Sequence, residues 1–239
     1  EMKATFNYDD LSDADKLSWD LFEYQYNQAA EAAKFRYNGF VYDQMNGPQG
    51  FIPQFLISFH NVENADDMRA YVSRIREAAR ALNEATDVAR ESAEHGTHAP
   101  KFAYEGVIDQ SRKVITGAPF TDGPDSALMA DVKSELATLV ENGELTQEES
   151  DAILADATDA MTNDFLDAFD NIIAFATEDM ANSPDSTQAV GAFLQPDGAA
   201  YYEERLANNT TTSMTADEIH QIGLAEVDRI HAEMEAIKD

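Results

Sequence analysis

Four times along the chain, a residue with a short polar side chain stands three places before an acid and opens a stripe of apolar residues at helical spacing. The pairs are Ser12 with Asp15, Asn64 with Asp67, Thr146 with Glu149 and Thr215 with Glu218. In each, the first side chain can accept a hydrogen bond from the third helical N–H, and the acid can answer the cap. No comparable signal for strands recurs. The spacing therefore predicts an all-α fold of long antiparallel helices, forming a bundle or wall, with few or no strands.

The stripes place the helices. Leu17, Leu21, Tyr24 and Phe35 follow Ser12 and carry a first helix to about Tyr37. Met68, Tyr71, Val72, Ile75, Ala79, Leu82 and Val88 follow Asn64, and Gly96 closes that helix. A shorter helix after Pro100 carries Val107, Ile108, Val114 and Ile115. Leu128, Val132, Leu136, Leu139 and Val140 mark another, stopped at Gly143. From Thr146 one helix is predicted to about Met180, through Ile153, Ala157, Met161, Phe165, Phe169, Ile172 and Phe175. Tyr201, Tyr202 and Leu206 suggest a short helix, and Thr210-Thr211-Thr212 an extended segment. The last helix carries Ile219, Ile222, Val227, Ile230, Met234 and Ile237.

Glycines and prolines cluster at Gly39, Gly47, Pro48, Gly50 and Pro53, and again at Pro184, Pro196 and Gly198. They predict loops near 38–63 and 182–199 within a single helical region, 1–239. The final helix runs to Asp239 without a glycine stop, and the chain opens with Glu1-Met2. Both features point to a piece of a longer protein.

Charge narrows the partners. With 16 Lys plus Arg against 46 Asp plus Glu, the formal net charge is −30. Nucleic acid is disfavoured as a partner, because counterion release needs clustered cations. An anionic membrane surface repels such a chain too. The most apolar long window, Phe165 to Ala176, contains Asp167 and Asp170 and falls short of a membrane span. The chain has no Cys, so disulfides, thiolate zinc sites and cysteine nucleophiles are excluded.

Motifs for chemistry are sparse. The five histidines are His60, His95, His98, His220 and His231, and no H-E-x-x-H occurs. His95 and His98 flank Gly96-Thr97, where a helix end favours histidine with or without a metal. Asp217 with His220 and Asp228 with His231 have the i, i+3 spacing of carboxylate-bridged metal bundles. Eleven residues along one helix rise about 16 Å, so the two histidines cannot share one ion. The densest hydroxyl cluster is Tyr201-Tyr202 with Thr210-Thr211-Thr212, which could contact a peptide backbone or simply pack. No catalytic residue and no metal ligand is assigned on these patterns.

From Gly191 to Ile237 the sequence reads GAFLQPDGAAYYEERL, then NNTTTSMTADEIHQIGLAEVDRIHAEM. This resembles the bacterial family DUF885, many of whose members are described as lipoproteins. Looser correspondences at Asn64 to Tyr71, Gly96 to Pro100 and Val107 to Gln110 extend the resemblance over the whole chain. The family is grouped with helical zinc metallopeptidases of the gluzincin type, is longer than this chain, and carries its zinc-binding H-E helix downstream. The resemblance implies an N-terminal part of an exported zinc metallopeptidase-like hydrolase, contributing to the substrate cleft and inactive alone. It implies no cofactor in this chain and zinc in the longer parent. It implies as partners a peptide substrate or the missing C-terminal part, and a periplasmic location or a lipid anchor upstream of Glu1. The signature positions carried over are Tyr201, Tyr202, Thr211, Thr212, Glu218, His220, Gly223 and Leu224. Of these, Tyr201, Tyr202, Thr211, Thr212 and His220 are the candidates for substrate binding. Asn209 stands where many members have histidine. The alternative is a complete, non-enzymatic helical protein that binds a peptide or partner helix in a groove. A carboxylate-bridged metal bundle ranks third, because its ligand set is incomplete.

Overall fold

A computed structural model describes residues 2–183 and 191–238. Among the described residues the regular structure is helical, with one isolated bridge between Ala118 and Asp125. The elements are α1 (Met2–Thr5), α2 (Asp13–Ala32), α3 (Pro48–Phe59), α4 (Ala65–Glu94), α5 (Lys101–Val114), α6 (Ala127–Glu141), α7 (Gln147–Asp159), α8 (Leu166–Asp179), α9 (Gly198–Thr210) and α10 (Ala216–Lys238). They group into two compact units, residues 39–190 and residues 1–38 with 191–239.

The larger unit is built on α4. Asn64 caps it by accepting from Asp66 and Asp67 N–H, at 2.9 and 3.1 Å. Met68, Tyr71, Val72, Ile75, Ala79 and Leu82 are all buried, so the predicted stripe is the core-facing surface. Val88 is not part of it. It is 46% exposed, because at roughly 100° per residue it lies on the far side of the helix. Thr86 and Ala89 take the inward positions there.

The stripe packs against α8 and the segment before it. The helix opened by the Thr146–Glu149 capping box is not regular to its end. A π-helical turn, Ala160–Phe165, joins α7 to α8. Such a turn absorbs one extra residue. Without it, Phe165, Phe169 and Ile172 would be rotated about 100° away from the line of Ile153 and Ala157. With it, all five side chains are buried together. Arg76 of α4 spans this junction, reaching Asp156 at 2.6 Å, Asp159 at 3.4 Å and Asp164 at 3.5 Å.

The stretch predicted as a loop near 38–63 contains α3. Pro48 occupies the first turn, where a missing N–H costs nothing, but Pro53 lies inside the helix. Packing outweighs that local penalty: Gln49, Pro53 and Leu56 are buried. Gln49 donates to Asp43 O at 2.6 Å and to Gln110 Oε1 at 2.8 Å, and Gln110 donates to Gln44 O at 2.7 Å. These bonds fix the segment before α3 to α5. Tyr42 is buried as well, donating to Leu82 O at 2.9 Å, and burial pushes its phenol up to about 12. In the second predicted loop, Ser183 and residues 195–197 are non-helical, Ala192–Leu194 forms a 3-10 turn, and residues 184–190 lie outside the described residues.

Two substitutions on α4 separate its faces. Leu82→Ala is expected to lower unfolding free energy by about 3 kcal/mol through cavity formation. Val88→Ala is expected to change it by less than about 0.5 kcal/mol. Urea denaturation followed by circular dichroism measures both.

Candidate functional site

The smaller unit holds the residues that carry the most specific part of the family resemblance. Its entry is the turn Gln195–Gly198, closed by Gly198 N–H to Gln195 O at 3.0 Å. Asp197 takes the left-handed conformation at φ 50°, which Asp tolerates better than most residues. Gly198 is required by space: a Cβ there would lie 2.0 Å from Ala192 O. That close approach sets the 3-10 turn carrying Phe193 against the start of α9. Tyr201 and Tyr202, one residue apart, then face different neighbours. Tyr201 meets Phe35 at a ring distance of 5.8 Å, and Tyr202 meets Phe193 at 5.6 Å.

Thr210-Thr211-Thr212 is not extended. Thr210 is the last residue of α9, and Thr211 is left-handed at φ 55°, ψ 25°. Helices often end with such a residue, usually Gly, because a Cβ is disfavoured there. A β-branched side chain at that position is strained. The hydroxyls are engaged locally. Thr210 Oγ1 donates to Leu206 O at 2.8 Å and lies 2.9 Å from Thr212 Oγ1, and Thr211 Oγ1 donates to Thr210 O at 2.7 Å. The three threonines shape a tight reversal between α9 and α10.

α10 then begins with a closed capping box. Glu218 N–H donates to Thr215 Oγ1 at 3.3 Å, and Thr215 N–H donates to Glu218 Oε2 at 2.8 Å. The bonds from Thr215 hold the Glu218 carboxyl below the usual carboxylate range. Between α9 and this first turn lies a pocket of about 550 Å³. Phe193, Tyr202, Leu206 and Met214 give it an apolar lining, with Glu203 and Asp217 also on its wall. Its size falls within the usual range for ligand sites.

Of the five candidate residues, only Tyr202 lines this pocket. Tyr201 packs on Phe35, Thr211 and Thr212 form the reversal, and His220 lies exposed on α10. Leu224 is exposed, and the space where a Gly223 side chain would sit is open. Asn209 donates to Arg205 O at 2.8 Å. Phe193, Glu203 and Met214 were not singled out for a site by sequence, and Asp217 was weighed only as a metal partner of His220. The legible signal was Leu206, one turn after Tyr202 and so on its face.

In the larger unit a second cavity of about 300 Å³ is lined by Arg90, His98, Phe175 and Asp179, among others. Asp179 is buried, and accepts from Tyr104 Oη at 2.6 Å, His98 Nδ1 at 3.0 Å and Asn182 Nδ2 at 3.2 Å. Burial first, and then the bond to Asp179, push the Tyr104 phenol up. Tyr104 and His98 on one carboxylate tie α5 and the segment before it to α8, and Asn182 adds a local bond just after α8.

The histidines do not fit a zinc centre among the described residues. His60 donates from Nε2 to Asp67 O at 3.0 Å and accepts from Arg74 at Nδ1. His95 donates from Nδ1 to Glu91 O at 2.8 Å, and His98 is held by Asp179. His220 and His231 stand three turns apart on α10. No three His, Asp or Glu side chains of the described residues converge as a metal site would require.

Two changes test this geometry. Thr211→Gly relieves the left-handed strain and is expected to stabilise the smaller unit by about 1 kcal/mol in thermal unfolding. Glu218 contributes stability that is complete above the unfolded carboxylate value, near about 4, and is lost as pH falls through its lowered folded value. Acid titration by circular dichroism should show helix loss in that window, and Glu218→Gln should flatten it.

Comparison with known proteins places this geometry. A crystal structure described as the putative lipoprotein from Colwellia psychrerythraea superimposes with a TM-score of 0.69 at 18% identity, covering 82% of this chain. At that identity the likeness is one of fold. The chain accounts for 32% of that solved chain's length. No curated protein matches the sequence. The family described as bacterial protein of unknown function, DUF885, matches residues 1–239, and the chain belongs to that family.

Proposed function

We propose that this chain is the N-terminal helical part of an exported zinc metallopeptidase-like protein, forming part of its substrate cleft, with the zinc-binding helix outside residues 1–239. One observation carries the reading. α10 has the same amphipathic pattern as α4, yet none of its residues is buried. Ile222, Val227, Ile230, Met234 and Ile237 share one side of the helix, with Ile219, over roughly 140° of arc. Those five are 44–85% exposed. Covering each would gain about 1 kcal/mol, so the stripe has the character of a surface awaiting a neighbour.

The stripe continues from the helix start that borders the Tyr202 pocket. Whatever packs on α10 therefore comes close to that pocket. The comparison with the longer lipoprotein chain supports a neighbour drawn from the rest of a longer polypeptide. That same relative supports export, and no helix among the described residues is long and apolar enough to cross a membrane. The pocket also supports a second reading, a non-enzymatic helical protein that binds peptides.

Peptide hydrolysis assays with added zinc test the assignment. The 239-residue chain is expected to show no turnover, whereas the longer polypeptide is expected to hydrolyse peptides and lose that activity to a chelator. Chelator-sensitive turnover by the 239-residue chain would contradict a zinc motif outside it. An inactive longer polypeptide that still binds peptides would favour the second reading.

A further inference from the structure

The Tyr202 pocket has two kinds of lining. Its interior is apolar, formed by Phe193, Tyr202, Leu206 and Met214. Two rings and a methionine give a large, adaptable surface for one apolar side chain. Its charged wall carries one sign only. Glu203 and Asp217 line it, and no cation does. Neither carboxylate has a side-chain partner among the described residues. The nearby cation Arg205 is already held by Glu204 at 2.7 Å.

A helix N-terminus normally favours an anion, with roughly half a positive charge at its end. At α10 that preference is reversed. The capping box already occupies the Thr215 and Glu218 N–H groups. Asp217 and Glu218, both in the first turn, together with Glu203 outweigh the helix dipole several-fold. An acidic ligand would meet unpaired carboxylates beside an apolar surface, and a cationic one would pair with them.

We infer that this pocket takes a peptide segment in which an aliphatic or aromatic side chain is flanked by Lys or Arg. The apolar side chain enters between Tyr202, Leu206 and Met214, and the flanking cation pairs with Glu203 and Asp217. This rests on the assignment of the chain to a peptide-binding cleft and adds the substrate class.

The test uses three fluorescein-labelled pentapeptides, Ala-Lys-Leu-Lys-Ala and its Gln- and Glu-flanked counterparts, binding to the 239-residue chain at 0.15 M salt. Screening at that ionic strength limits attraction by the distant acids. The Lys-flanked peptide is expected to bind at least about tenfold more tightly than the Glu-flanked one. The double variant E203Q/D217N, which removes two of 46 acids, should erase most of that ratio while leaving the Gln-flanked affinity within about twofold. Circular dichroism confirms that the variant is folded, and L206D should abolish binding of all three peptides. A Lys preference that survives E203Q/D217N would assign it to overall charge and overturn the inference. Equal binding of all three peptides, sensitive to L206D, would overturn the basic preference and leave the cleft standing. Absence of binding by any peptide would overturn both.

Discussion

An amphipathic helix must cover its apolar side, and this chain meets that constraint in the larger unit and leaves it open on α2 and α10 of the smaller. In the larger unit, α4 turns its apolar stripe inward, and the other elements are arranged to cover it. The π-helical turn at Ala160–Phe165 follows from the same demand. It shifts the phase of α8 by one residue, so that Phe165, Phe169 and Ile172 stay in line with Ile153 and Ala157. The Arg76 bonds to Asp156, Asp159 and Asp164 lie at that junction. They are partly solvated and worth little individually, so the junction is held mainly by burial.

In the smaller unit the stripe of α10 stays in solvent, and local devices hold the site together. Gly198 admits the close approach of Ala192, Thr211 accepts a strained conformation to reverse the chain, and the Thr215–Glu218 box starts α10 at a fixed residue. Together they place an apolar pocket beside unpaired carboxylates. Strain at a non-glycine residue persists where the surroundings over-determine it, and such positions collect at functional sites. The Thr211 turn leads the chain into Ser213 and Met214 of the pocket wall and belongs to the segment that carries the family resemblance.

The helices were legible because caps and stripes agree. Asn64, Thr146 and Thr215 each open a helix as their spacing predicts, and the buried side of α4 matches its stripe up to Leu82. Two features were hidden. α3 was masked by Pro48, Gly50 and Pro53, since local punctuation cannot report that Leu56 and Gln49 will be buried. The Thr210–Thr212 reversal was masked by β-branching, which favours extended backbone, while the helix end imposes a left-handed turn. Of the pocket, sequence pattern revealed Tyr202 and Leu206 on one side of α9. It could not reveal Phe193 and Met214, because the turns at Asp197 and Thr211 bring them there. The Asp179 cluster joins residues 75 and 81 positions apart, a separation that no local pattern reports.

The most direct test is amide hydrogen exchange along α10, in the 239-residue chain and in the longer polypeptide proposed to contain it. Backbone amides from Ile222 to Ile237 should exchange rapidly in the former, where nothing covers the stripe, and be slowed by several orders of magnitude in the latter. Equal exchange in the two would contradict the account, because the stripe would then have no neighbour to wait for.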